Sequence, residues 1–247
     1  MSGHSKWSQI KRQKGAADAK RGNVFTKMAR EIMVAAREGG GDPEMNFRLR
    51  LAMDRARAVN MPKDNIQRAI DRATGGADGA QLESIVYEAY GPAGVSVLIE
   101  ATTENRNRTA SEVRAALTRH NAKLGEAGSV QWLFEQKGIL EVDAKGARAD
   151  DVELAAIDAG AEDVERDNDL VTIYTTPRDF ERVKKALEAK GIKIASAELS
   201  RRPTSTVRVE GDNAQKVLRL VEALEDLEDV HKVHANFDVP EEVLEAV

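Results

Sequence analysis

The chain has 247 residues, 37 Lys/Arg against 42 Asp/Glu, no cysteine and a net charge of −5. Zero cysteine excludes disulfides, thiolate nucleophiles, iron–sulfur clusters and Cys-ligated zinc. No run approaches the roughly 18 apolar residues that a membrane helix needs, and Met1–Trp7 holds no apolar signal core, so a cytoplasmic protein with two or three separate cores is expected.

The charge is unevenly placed. Residues 1–72 hold sixteen Lys/Arg against eight Asp/Glu, a balance of +8, which leaves −13 for the remainder. The excess is sharpest in residues 1–37, where nine cations face only Asp18 and Glu31. Such asymmetry between halves predicts a polyanion partner for the head.

In chain order, residues 2–22 have few apolar anchors and are expected to stay mobile until a partner holds them. From Asn23 to Glu38 the apolar residues Phe25, Met28, Ile32 and Ala35 recur at helical spacing, and Gly39–Gly41 ends the pattern. Asp42-Pro43 reads as the N-cap and first turn of a second helix, with Met45, Leu49, Met53 and Ala56 as its core stripe and Arg48, Arg55, Arg50 and Arg57 on its flanks. Pro62 opens a third helix in which Ile66, Ala69, Ile70 and Ala73 align before Gly75-Gly76.

After residues 75–81 the period changes from 3.6 to 2. Residues 85–90 and 95–101 form a predicted hairpin, followed by a helix over 107–121. Val130–Glu135 is expected to begin another sheet. Strand 138–143, helix 150–159, strands 163–167 and 170–175, helix 178–190 and strand 194–201 then give a β-α-β-β-α-β series, the ferredoxin-like pattern. Val207–Glu210, a helix carrying Val217 and Leu224, and strand 233–239 supply a last β-α-β, which is expected to complete the sheet begun at residue 85.

The predicted class is therefore α+β: an N-terminal three-helix domain followed by two ferredoxin-like α+β domains, the last inserted into the middle one. The expected boundaries are 1–76 for the basic head, 82–129 plus 204–241 for a discontinuous domain, and 130–203 for the insert.

Phosphate contacts are assigned to the arm through Lys6, Lys11, Arg12, Lys14, Lys20 and Arg21, and to the helices through Lys27, Arg30, Arg48 and Arg55, because dense cations on an arm and on helix flanks neutralise phosphates without reading sequence. Thr109-x-x-Glu112 has the spacing of a capping box, which would set Arg106 and Arg108 just ahead of a helix N-terminus that attracts anions; the opposing reading is a capped helix whose arginines reach acids on a neighbouring domain. His231-x-x-His234 falls in a predicted strand, where residues three apart face opposite ways and share no metal. Glu225–Asp229 reads as a solvated acidic helix end. Trp132 and Phe134 would share a strand face, but no second aromatic strand completes a base-stacking sheet. No base, nucleophile or metal set converges, and neither a GxGxxG nor a GK[ST] element occurs, so no enzyme, cofactor, metal or small-molecule substrate is expected.

Gly3-His-Ser-Lys-Trp7, Asp18-Ala-Lys-Arg-Gly22, the Ala35–Pro43 segment, Asn60-Met-Pro-Lys-Asp-Asn65, Asn105-Arg-Asn-Arg-Thr109 and Gly125–Val130, in this order along essentially the whole chain, resemble the YebC/PmpR family. The resemblance implies three-domain α+β proteins of bacterial cytoplasm or organelles, acting as DNA-binding transcriptional regulators or, alternatively, as ribosome-associated factors that ease stalled translation. It implies no catalytic residues. Phe47, Ala89 and Ala93 depart from the family pattern, the last two where glycine is frequent. Nucleic acid is thus the expected partner, DNA first and ribosomal RNA second, with no membrane.

Overall fold

The computed structural model describes residues 18–75, 82–144 and 146–240. Residues 134–204 form one compact unit, and the described residues on either side of them form the other.

The second unit begins with three helices, α1 (Asp18–Gly39), α2 (Phe47–Ala58) and α3 (Lys63–Thr74). Ile32, Ala35, Leu49, Ala52, Ala56, Met61, Ile66 and Ile70 make a single small core between them. The cap of α2 is Asn46, not Asp42. Its Oδ1 accepts from Leu49 N at 3.0 Å, while its Nδ2 donates to Ala35 O at 2.8 Å and Gly40 O at 2.7 Å. One amide therefore satisfies the open end of α1 and the open start of α2 together, which a carboxylate with no N–H could not do. Asp42–Met45 becomes a turn, and Met45, expected in the core stripe, is 84% exposed.

The chain then forms β1 (Glu83–Tyr90) and β2 (Ser96–Thr103), antiparallel in register from Glu83↔Thr103 to Tyr90↔Ser96. Helix α4 (Arg106–Arg119) and the short strand β3 (Lys123–Leu124) follow. After the insert come β8 (Val207–Arg208), α7 (Gly211–Glu225), β9 (Val230–Ala235) and β10 (Phe237–Asp238). The sheet order is β3-β1-β2-β9, so the C-terminal segment does complete the sheet begun at residue 83. It does so through β9 alone: β8 instead pairs with β10 in a two-stranded parallel ribbon, and β3 fills the far edge. Asn236 makes the break between β9 and β10, its Oδ1 accepting from Ser96 N at 2.7 Å. Helices α4 and α7 close over a core of Val97, Ile99, Val113, Leu117, Val217 and Val221.

The first unit contains β4 (Phe134–Asp143), α5 (Ala147–Ala159), β5 (Asp163–Asp167), β6 (Leu170–Thr175), α6 (Phe180–Ala189) and β7 (Ser196–Pro203). Its sheet order, β5-β6-β4-β7 with every pair antiparallel, is the ferredoxin-like arrangement. The strand expected from Val130 starts only at Phe134. The buried Glu88 carboxylate accepts from the N–H groups of Gly128 (2.5 Å), Val130 (2.6 Å) and Gln131 (2.8 Å), so the donors a strand would use are already committed. Gln131–Leu133 becomes one 3₁₀ turn, which separates the 70% exposed Trp132 from the buried Phe134.

Gly138 in β4 is fixed by close packing. A Cβ there would stand 2.2 Å from the Phe180 ring and 2.4 Å from Thr175 Oγ1. Both neighbours are fully buried, so Gly138→Ala is expected to destabilise the unit by about 1–3 kcal/mol, read as a lowered denaturation midpoint with an unchanged denaturant slope.

Candidate nucleic-acid interface

The basic residues of the head divide into those that hold the head in place and those left on its surface. Lys20 and Arg21 lie near the start of α1, while Lys6, Lys11, Arg12 and Lys14 lie outside the described residues. About two and about three turns further along α1, Lys27 and Arg30 reach the last residue of α7 and the segment that follows it. Lys27 Nζ donates to Glu225 O, and Arg30 Nη1 donates to Glu228 O at 2.7 Å. The Arg30 guanidinium also pairs with Glu228 Oε1 at 2.9 Å and with Asp229 Oδ1 at 2.6 Å.

Asp229 is the centre of this contact. Its side chain is 0% exposed, yet it receives Arg30 from the head, Arg108 Nη2 on both oxygens (3.0 and 2.9 Å), Thr109 Oγ1 at 2.6 Å and Thr103 Oγ1 at 3.0 Å. Burial by itself would push this carboxyl up; the bonds from Thr109, Arg108 and Thr103 and the nearby Arg30 charge outweigh it and hold the group below the ordinary carboxylate range. The acidic helix end expected to be solvated is therefore, at Asp229, a buried anchor. Asp229 also explains the start of α4. Asn105 caps that helix by accepting from Arg108 N at 3.1 Å, and Thr109, expected to cap it, sits inside the first turn with its hydroxyl on Asp229. The capping box does not form.

The remaining cations are held loosely. Arg48 pairs with Glu38 and Arg106 with Glu83 (3.4 Å), both across exposed surface. Arg55 reaches Glu31 at 2.6 Å in a half-buried contact, and Arg57 reaches Asp54 at 2.8 Å. The exposed pairs of Arg48, Arg57 and Arg106 contribute about 0–1 kcal/mol each, so a phosphate can replace their carboxylates at little cost. On α3, Lys63 and Arg72 are exposed and make no ion pair with any described residue. Periodicity assigned α3 to the core alone and passed over them.

One further expectation is revised by geometry. A register shift at Glu100/Ala101 places a bulge in β9, and both His231 Nε2 (3.7 Å) and His234 Nε2 (3.6 Å) approach the Glu100 carboxylate, His234 being buried. The strict alternation that would have separated the two imidazoles is broken there. Among the described residues no cluster of three or more such groups has metal-binding geometry. Tyr90 and Trp132, both exposed, converge on Ser129 O, at 3.5 and 3.0 Å.

Because Asp229 is charged, buried and shared, Asp229→Asn is expected to cost about 3 kcal/mol or more of folding stability by leaving the guanidinium groups without their counter-charge. A carboxyl whose folded-state pKa is depressed stabilises fully above its unfolded value near pH 4 and loses that contribution as the pH falls through the folded value. Urea titrations from pH 7 down to pH 2 should show the wild type losing stability on the acid side more steeply than the variant; parallel curves would contradict the assignment.

Comparison with known proteins agrees along the length of the chain. The TACO1/YebC protein N-terminal domain matches residues 5–76, and the TACO1/YebC second and third domain matches residues 82–237. A relative from Dictyoglomus thermophilum is 49% identical over the full length of both chains, and one from Trichlorobacter lovleyi is 52% identical over 99% of each; both carry the name "probable transcriptional regulatory protein". A crystal structure of a conserved hypothetical protein from Aquifex aeolicus is 48% identical, covers 92% of this chain and 94% of its own, and superposes with a TM-score of 0.84. With the head and both α+β domains matched in order, the chain belongs to the TACO1/YebC family.

Proposed function

We propose that this protein is a cytoplasmic, non-enzymatic regulator of gene expression that binds DNA through its basic head and acts on transcription. The observation that carries the reading is the segregation of charge, +8 in residues 1–72 against −13 elsewhere. Two features support it. The names of the full-length relatives describe transcriptional regulation. No helix among the described residues is long and apolar enough to cross a membrane.

In this reading the phosphate contacts come from Lys6, Lys11, Arg12, Lys14, Lys20 and Arg21, joined by Arg48, Arg55 and Arg106 once they exchange their carboxylate partners for phosphate. Lys27, Arg30 and Arg108 act indirectly, by fixing the head against the body. The helices offer no recognition helix: α2 buries Leu49, Leu51, Ala52 and Ala56, and its arginines sit on the flanks. Binding should therefore grip backbone and shape more than base edges.

The test is the salt dependence of duplex DNA binding by the full chain. Neutralising Lys11, Arg12 and Lys14 to Gln should reduce the magnitude of the log-affinity against log-salt slope by about three, since each phosphate contact contributes roughly 0.9. An unchanged slope and affinity would remove the arm from the interface. Competition with scrambled duplexes should show similar affinities, and a preference of about a thousandfold for one sequence would reveal base reading.

A further inference from the structure

The acidic body carries one concentrated cationic feature. Helices α4 and α7 pack against each other through Val113, Leu117, Val217 and Val221. Beside that contact lies an open cleft of about 270 Å³ lined by Arg119, His120 and Asn121 from the end of α4 and by Lys216 and Arg219 from α7. No carboxylate lines it. Arg119 Nε donates to Ala115 O at 3.3 Å, and Arg119, Lys216 and Arg219 make no ion pair with any described residue. By contrast, Arg106, Arg108, Arg166, Arg182, Arg202 and Arg208 of the body each have a carboxylate partner.

Favourable interaction with the α4 dipole accounts for Arg119 and His120 at its C-terminus. It does not account for Lys216 and Arg219. These lie three residues apart in the middle of α7, on the same exposed edge, where like charges repel. Three permanent charges crowded into one concavity without an acid are stabilised by an anion from outside. Two guanidinium groups and an ammonium group from two helices supply both the charge and the several donors that the oxygens of a phosphate accept. The cleft is open and, at about 270 Å³, has room for a phosphate together with the groups attached to it.

We propose that the α4–α7 cleft, formed by Arg119, His120, Lys216 and Arg219, is a phosphate-binding site separate from the basic head. Its phosphate is either one unit of a nucleic-acid backbone or a free phosphate. The cleft stands on its own residues and does not depend on the head contacting DNA.

Both sources are tested with the full chain and its Arg119→Gln/Lys216→Gln/Arg219→Gln variant. All three side chains are exposed and their mutual repulsion is removed, so the melting temperature should not fall; a charge-preserving Arg119→Lys/Lys216→Arg/Arg219→Lys protein serves as a second control and should keep its ligand. In the first arm, binding of a 20-nucleotide single strand is followed by anisotropy from 50 to 200 mM salt. Loss of about tenfold in affinity, with the slope magnitude falling by about two, assigns the site to the backbone, as expected for three contacts of roughly 0.7 each. In the second arm, inorganic phosphate is titrated while the His120 and Asn121 side-chain resonances are followed. Shifts that saturate in the wild type and vanish in the Gln variant, with no change in the first arm, assign the site to free phosphate. Oligonucleotide binding and phosphate response that are the same in wild type and Gln variant overturn the proposal. If the wild type binds no oligonucleotide at all, the reading of the head fails, and the phosphate arm still decides the cleft.

Discussion

The arrangement of the N-terminal half depends on one buried carboxylate. Asp229 has no exposed side-chain surface, and an ionised carboxylate in that position is tolerated only because two arginines and two threonine hydroxyls surround it. Its partners come from three places in the chain: Arg30 in α1, Thr103 at the end of β2, and Arg108 with Thr109 in the first turn of α4. Removing any of them leaves a charge in a dry site. The three helices of the head, whose own core is small, are thus tied to the body by a contact too costly to open partway.

This tie alters how the head's charge should be counted. Sixteen cations look like a uniform phosphate-binding surface, but Lys27 and Arg30 are turned to the Glu225–Asp229 segment and set the orientation of α1. The acidic cluster and the basic helix, read separately, suggest two surfaces for two partners. In the structure they are in part the two sides of one internal contact. Among the described residues, what remains outward is the loosely paired cations, which suits a sequence-tolerant grip because such contacts exchange carboxylate for phosphate at little cost. Nor is the body uniformly acidic, since the α4–α7 cleft collects three cations with no acid among them.

Local patterns made much of the fold legible. The three helices of the head, the hairpin and the β-α-β-β-α-β insert follow from apolar period and from Gly and Pro punctuation, and their positions in the structure lie within a few residues of those readings. Ala93, at a position where the family resemblance leads one to expect glycine, adopts φ = 58° in the turn between β1 and β2, in the left-handed region. The misses share a cause: one side chain taking backbone donors or charges from distant segments. Asn46 displaced Asp42 as a cap, Glu88 stopped a strand at Val130, and Asp229 took Thr109 from its capping box. Periodicity reports which face of an element is apolar. It carries no information on which single polar side chain is buried inside a fold, and a bulge such as that at Glu100 reverses facing without changing the sequence pattern.

Nucleic-acid contact by a backbone-gripping head looks alike on duplex DNA and on ribosomal RNA, so the identity of the target in the cell is the decisive quantity. Crosslinking the protein in intact cells, followed by sequencing of both the DNA and the RNA recovered with it, measures that identity directly. Enrichment of promoter-proximal DNA that falls when Lys11, Arg12 and Lys14 are neutralised is the predicted result. Recovery of ribosomal RNA without enriched DNA, unaffected by those substitutions, would contradict the assignment of the basic head to transcription.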